Sequence, residues 1–210
     1  MTDLFQDQRR KLTLAPGAVV LPGFAADAAL LPALERVTTA AGFRHMETPG
    51  GHRMSVAMTN CGALGWVTDR RGYRYTGADP LTGFAWPEMP PEFHNLAAAA
   101  GERAGYRDFG PDGCLINRYL PGAKMALHQD RNERNMAEPI ISVSLGLPAT
   151  FLWGGAERAE RPQRIRLQHG DVVVWGGPAR LTYHGVAALA DGGHPLLGRQ
   201  RINLTFRKAG

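Results

Sequence analysis

The chain has 210 residues, 44% of them hydrophobic, which is enough to bury a full core and excludes a largely disordered protein. Its formal charge of +5 is compatible with a polyanionic partner such as nucleic acid, and equally with an ordinary mildly basic surface. No apolar run reaches the length of a membrane span, and Cys61 and Cys114 are too few and too far apart in sequence for a disulfide framework or a zinc ribbon.

The opening segment, Met1-Thr-Asp-Leu-Phe-Gln-Asp-Gln-Arg-Arg10, has acids early and no apolar stretch, so it is not expected to be a signal peptide. A reducing, cytoplasmic setting is the expectation. Residues 15–21 read as a strand marked by Pro16 and Pro22. Residues 27–41 read as a helix with Leu30, Leu31, Leu34 and Val37 on one side, stopped by Gly42. From 45 to 91 the texture is rich in Gly, Met, Thr, Trp and Tyr, with short alternating pieces, and predicts a hairpin-bearing extension rather than a core layer. A second helix is predicted over 91–104, with Phe93, Leu96 and Ala100 at helical spacing.

Beyond Gly113 the pattern is short strands separated by turns, at 114–120, 125–129, 140–147, 150–153, 164–167, 171–175, 181–184 and 200–207. With Gly 26 and Pro 15 punctuating the runs, this predicts a mainly β (α+β) fold. Eight strands suit a double-sheet jelly roll, with two helices on an outer face and the middle extension over its mouth. One domain spanning 1–210 is expected, with 45–91 as a covering lid and 114–207 as the jelly-roll core.

Strand side chains alternate faces, so His128 and Asp130 in Leu127-His-Gln-Asp130 can reach one ion from a strand end. His184, at the end of another predicted strand, supplies a distant third ligand. Two histidines and a carboxylate leave one side of a metal open, the facial arrangement of non-haem Fe(II) oxygenases. The competing reading is a chance His-x-Asp pair with His184 packed or at the surface. His45, His52, His94, His169 and His194 lack a partner at ligand spacing.

In Arg201-Ile-Asn-Leu-Thr-Phe-Arg207 the alternation is strict: Ile202, Leu204 and Phe206 face one way, Arg201, Asn203, Thr205 and Arg207 the other. The polar row either meets water or lies inside a barrel, where an arginine clamps a dicarboxylate. Asn117 and Tyr119, on another strand, can hydrogen-bond the same ligand. Two inward arginines are hard to bury without an anion.

These residues, with Thr48-Pro-Gly-Gly51, Met54-Ser-Val-Ala-Met-Thr-Asn-Cys-Gly62, Gly65-Trp66, Cys114-Leu-Ile-Asn-Arg-Tyr119, Ser142-Val-Ser-Leu-Gly-Leu147, His169-Gly-Asp-Val-Val-Val-Trp-Gly-Gly177, Tyr183-His-Gly185 and Asn203-Leu-Thr-Phe-Arg207, occur in an order that resembles the AlkB family of alkylated-nucleic-acid repair dioxygenases over almost the whole chain. The resemblance implies a double-stranded β-helix that uses Fe(II), O2 and 2-oxoglutarate to remove alkyl groups from nucleobases such as 1-methyladenine and 3-methylcytosine. Formaldehyde and succinate would be released. It implies His128, Asp130 and His184 as iron ligands and catalytic residues. Asn117, Tyr119, Arg201, Asn203, Thr205 and Arg207 would bind 2-oxoglutarate, with Arg201 or Arg207 on its far carboxylate. Trp66, Tyr73, Tyr75, Met58, Asn132 and Arg158 would contact the nucleotide, and Lys124, Arg70, Arg71 and Arg74 are candidate phosphate contacts or simply solvated. The implied partner is alkylated single-stranded DNA, with double-stranded DNA and RNA left open, acted on by a monomer without a membrane. The family's bacterial member that this chain resembles has an aspartate two residues beyond the carboxylate ligand, where this chain has Asn132, which removes a charge that would favour cationic lesions. Two other readings compete: the same chemistry on RNA or a small molecule, and a jelly-roll binding module without turnover.

Overall fold

The computed structural model describes residues 10–210, so the segment read for a leader lies outside the described residues except for Arg10. The described chain forms β1 (Leu12–Ala15), β2 (Ala18–Leu21), α1 (Leu30–Ala40), β3 (Arg44–Glu47), β4 (Arg53–Gly62), β5 (Gly65–Asp69), β6 (Gly72–Thr76), α2 (Pro91–Ala104), β7 (Gly113–Tyr119), β8 (Met125–His128), β9 (Ile140–Gly146), β10 (Ala149–Trp153), β11 (Gln163–Leu167), β12 (Val172–Trp175), β13 (His184–Val186) and β14 (Arg201–Arg207). An eight-stranded sheet runs β1-β2-β12-β9-β14-β7-β4-β3, and a four-stranded sheet runs β11-β10-β13-β8. β5 and β6 form a separate hairpin. The result is the expected jelly roll, with two helices on the large sheet.

Strand alternation sorts the apolar residues into two layers. Ile141, Val143, Val172, Val174, Ile202, Leu204 and Phe206 meet Leu30, Leu34 and Val37 of α1 and Phe93, Ala97 and Ala100 of α2. Val173 and Trp175 of the same β12 turn the other way, toward Phe151, Trp153, Leu167 and Val186 of the small sheet. At about 1.5–3 kcal/mol for each large apolar side chain buried, the helix-facing side of β14 offsets the cost of placing polar groups on its inner side. Every residue of β14 is buried, so its polar row lies between the sheets and not on the outer surface.

Several boundaries differ from the sequence reading for local reasons. The stretch 15–21 is two strands, β1 and β2, because Gly17 at φ +79 makes Pro16-Gly17 a turn. Helix α1 begins at Leu30 rather than Asp27, whose carboxylate accepts the Ala29 N–H at 2.8 Å and forms a turn ahead of it. Pro91 opens α2 where a missing N–H costs nothing, and Gly105 closes it at φ +100. The segment 45–91 is not wholly an extension, since β3 and β4 belong to the large sheet, β4 pairing with β7. The core therefore exceeds 114–207; β5 and β6 pair only with each other, while Val67 of β5 and Trp86 beyond β6 pack into the core. Cys61 and Cys114, distant in sequence, are direct partners across β4 and β7, both buried as free thiols.

Candidate active site

The small sheet places the two histidines side by side. His128 ends β8, His184 begins β13 rather than ending a strand at 181–184, and the two are register partners. Each ring is held from behind: His128 Nδ1 lies 2.9 Å from the Ala126 carbonyl and His184 Nδ1 3.0 Å from that of Thr182. A carbonyl only accepts, so both imidazoles carry the proton on Nδ1 and present a bare Nε2. Asp130 follows β8, with Oδ1 3.6 Å from His128 Nε2 and Oδ2 3.8 Å from His184 Nε2. One donor atom from each of the three lies within 4.8 Å of the others. Burial, reinforced by His128, lowers the His184 pKa to about 4, which keeps it in the neutral, metal-binding form.

Gly185 makes this pairing possible. A Cβ there would lie 2.6 Å from the Met125 carbonyl oxygen of β8. Gly185→Ala is therefore expected to push β13 off β8 and to weaken Fe(II) or Co(II) binding at least tenfold, read by isothermal titration; unchanged affinity would show that the close approach does not matter.

Asp130 is locked by a buried charge network that sequence reasoning missed. Its Oδ2 accepts Arg207 Nη2 at 2.6 Å and Nε at 3.1 Å, and its main-chain carbonyl accepts Arg180 Nη1 at 2.6 Å. Glu133 completes the set, 3.0 Å from Arg180 Nη2 and 3.3 Å from Arg207 Nε, and accepts the Tyr75 hydroxyl proton at 2.6 Å. Burial alone would raise the Asp130 pKa, but the Arg207 guanidinium and the two imidazoles outweigh it and hold the carboxyl below the usual range. Burial likewise opposes charge on Arg207, and Asp130 more than restores it. Arg207 is thus committed to a ligand carboxylate.

Arg201 is not. It is buried, its Nη2 donates to Ser144 Oγ at 2.9 Å, and its Nε and Nη1 have no partner among the described residues. Its guanidinium lies 5.0 Å from the Tyr119 ring, and burial pulls its pKa below the ordinary value. Beside it, Asn203 donates to Ser142 Oγ at 2.8 Å and to the Val143 carbonyl at 2.9 Å. Its Oδ1 accepts from Asn117 at 3.3 Å and Thr205 at 3.0 Å, leaving Asn117 Oδ1 without a donor. A buried cation with two idle donors fits an anion, and the His-His-Asp set fits Fe(II).

These groups line one cavity of about 580 Å3, together with Met58, Trp66, Tyr73, Asn132 and Arg158. Trp66 and Tyr73, diagonal across β5 and β6, stack with centroids 5.6 Å apart. The Trp66 indole N–H donates to Asn132 Oδ1 at 3.3 Å. Tyr75 does not line the cavity, because its hydroxyl turns to Glu133. Arg74 pairs with Asp69 through two hydrogen bonds of 2.8 and 2.7 Å, and Arg71 reaches the same carboxylate, which spends much of their charge at home. The signal that could have found Glu133 and Arg180 is weak: charged residues 47 positions apart, one of them in the charged run 130–134, read as surface.

The family profile described as the 2OG-Fe(II) oxygenase superfamily matches residues 17–207. The alpha-ketoglutarate-dependent dioxygenase AlkB of Salmonella typhimurium is 56% identical over 212 residues, covering 100% of this chain and 98% of that protein. The DNA N(6)-methyladenine demethylase ALKBH1D of Arabidopsis thaliana is 38% identical over 147 residues, covering 58% of this chain and 33% of its own. The solved structure of OsALKBH1 superposes with a TM-score of 0.81 at 27% identity, covering 95% of this chain and 100% of that one. Profile, full-length identity and superposition agree with the donor set and the orphaned arginine: the chain belongs to the AlkB family of the 2OG-Fe(II) oxygenase superfamily and is an Fe(II)- and 2-oxoglutarate-dependent dioxygenase.

Proposed function

We propose that this dioxygenase removes alkyl groups from damaged nucleobases, with His128, Asp130 and His184 holding Fe(II) and Arg201 holding the far carboxylate of 2-oxoglutarate. The observation that carries the reading is one cavity containing a His-His-Asp set, a buried arginine without an anion and a stacked aromatic pair at its mouth. Asn117, Tyr119, Asn203 and Thr205 orient the co-substrate, while Arg207 acts on it through Asp130. Iron, 2-oxoglutarate and O2 supply the oxidation: an N-methyl carbon gains oxygen and leaves as formaldehyde, with succinate and CO2 as the other products.

The chain's own residues do the positioning. The two backbone carbonyls hold each imidazole proton on Nδ1, so the ring nitrogen facing the cavity stays free. Trp66 and Tyr73 offer an aromatic wall to a base in the cavity that His128 also lines, and stacking contributes about 1–3 kcal/mol per base. A stacked base cannot reach so recessed a site, which favours single-stranded or flipped substrate. Arg158 sits at the mouth, suited to a phosphate. The same reading expects a monomer, working in the cytoplasm with the nucleic acid it repairs.

The test is release of formaldehyde and succinate from methylated single-stranded oligonucleotides, with matched RNA and duplex in parallel. No product with metal bound would favour a binding module instead. Asn132 already accepts from Trp66, and an aspartate there would keep that bond and add charge beside the base. Asn132→Asp is expected to raise the rate on cationic relative to neutral lesions severalfold; an unchanged ratio would remove this residue from substrate selection.

A further inference from the structure

The connection from β10 to β11 carries Arg158 and Arg161, and β11 itself carries Arg164 and Arg166, all exposed. None has an ion partner among the described residues, unlike Arg71 and Arg74 with Asp69 or Arg199 with Asp191. Two carboxylates lie nearby in sequence, Glu157 and Glu160, and Glu160 Oε1 is turned back onto the Glu157 N–H at 2.7 Å.

The register sets the direction of the row. Trp153 of β10 pairs with His184 on one side and Gln163 of β11 on the other, so the start of β11 lies at the metal end of the small sheet. Arg164 is opposite Leu152 and Arg166 opposite Thr150, each step leading away from the mouth that Arg158 lines. Ile165 and Leu167 turn inward to the core, which leaves Arg164 and Arg166 on the outer face. Two residues along a strand span about 6.6 Å, close to the distance between successive phosphates of an extended strand. β11 ends its sheet, so its outer edge pairs with no other strand among the described residues.

We propose that Arg164 and Arg166 form a phosphate track that carries the single strand flanking the target base away from the cavity, continuing from Arg158. The partner is a nucleic-acid backbone read by charge and spacing alone, so the track adds affinity for longer strands without sequence preference. This inference rests on the nucleobase-repair reading of the cavity.

The experiment compares native enzyme with an Arg164→Gln, Arg166→Gln double variant on a methylated trinucleotide and on a longer methylated oligonucleotide extended on both sides. The trinucleotide should be turned over equally by both proteins. On the longer strand the variant's KM should rise roughly tenfold, and its affinity should fall less steeply with salt, the log–log slope losing about 1.4 for two phosphate contacts. An unchanged KM and salt slope on the longer strand would overturn the track. An equal loss on both substrates would overturn it too, by showing that the substitutions act through the catalytic site. Native enzyme inactive on both would overturn the nucleobase reading and this inference together.

Discussion

Asp130→Ala is expected to abolish turnover and to destabilise the metal-free protein, whereas His128→Ala should abolish turnover alone. The difference lies in what each side chain does besides facing the cavity. The His128 side chain is 39% exposed and packs beside His184, so its loss touches little of the core. The Asp130 side chain is 10% exposed and is the principal acceptor for Arg207. Removing one partner of a buried ion pair costs about 3–5 kcal/mol, and here Glu133, 3.3 Å from Arg207, should hold the loss near the lower end. Urea unfolding of both metal-free variants, beside a succinate-release assay, checks the pair of claims. Retained turnover in either variant would remove it from the iron site, and an Asp130→Ala midpoint equal to native would show that Glu133 alone satisfies Arg207.

Arg201→Met should raise the KM for 2-oxoglutarate by about two orders of magnitude while leaving the co-substrate-free protein at least as stable. Charge-assisted hydrogen bonds contribute about 1.5–3 kcal/mol each, and about 1.4 kcal/mol is a factor of ten. Stability moves the other way because an unpaired buried guanidinium is a cost in the empty protein. In the native enzyme, 2-oxoglutarate should raise the melting temperature by mass action; in the variant it should not. A variant that melts well below native without ligand, yet binds 2-oxoglutarate normally, would sink the assignment and return the carboxylate to Arg207.

The catalytic row was legible because period-two alternation on β14 is a local property: Arg201, Asn203, Thr205 and Arg207 had to share a face. Whether that face met water or the barrel interior was not legible, since burial depends on strands far away in sequence. The same limit explains why the two arginines could not be told apart. Arg207 meets Asp130, 77 positions away, and Arg201 meets Ser144, 57 positions away; neither partner is signalled locally. The expected lid misjudged β4 because its neighbours are rich in glycine and aromatics, although Val56, Ala57, Met58, Thr59, Asn60 and Cys61 form a buried run suited to the inside of a sheet. Cys61 and Cys114 show the reverse case, in which sequence distance says nothing of adjacency.

The tether between Tyr75 and Glu133 limits how the hairpin can open. Tyr75 lies near the root of the hairpin, opposite Trp66, and its hydroxyl ends on a carboxylate shared with two buried arginines. Swinging β5 and β6 outward as one rigid flap would strand that carboxylate's third partner and expose the wall behind the metal site. A displacement confined to the far end, around Arg70 and Arg71, would leave this hydrogen bond intact. In such a displacement the doorway shifts and the hinge post stays fixed.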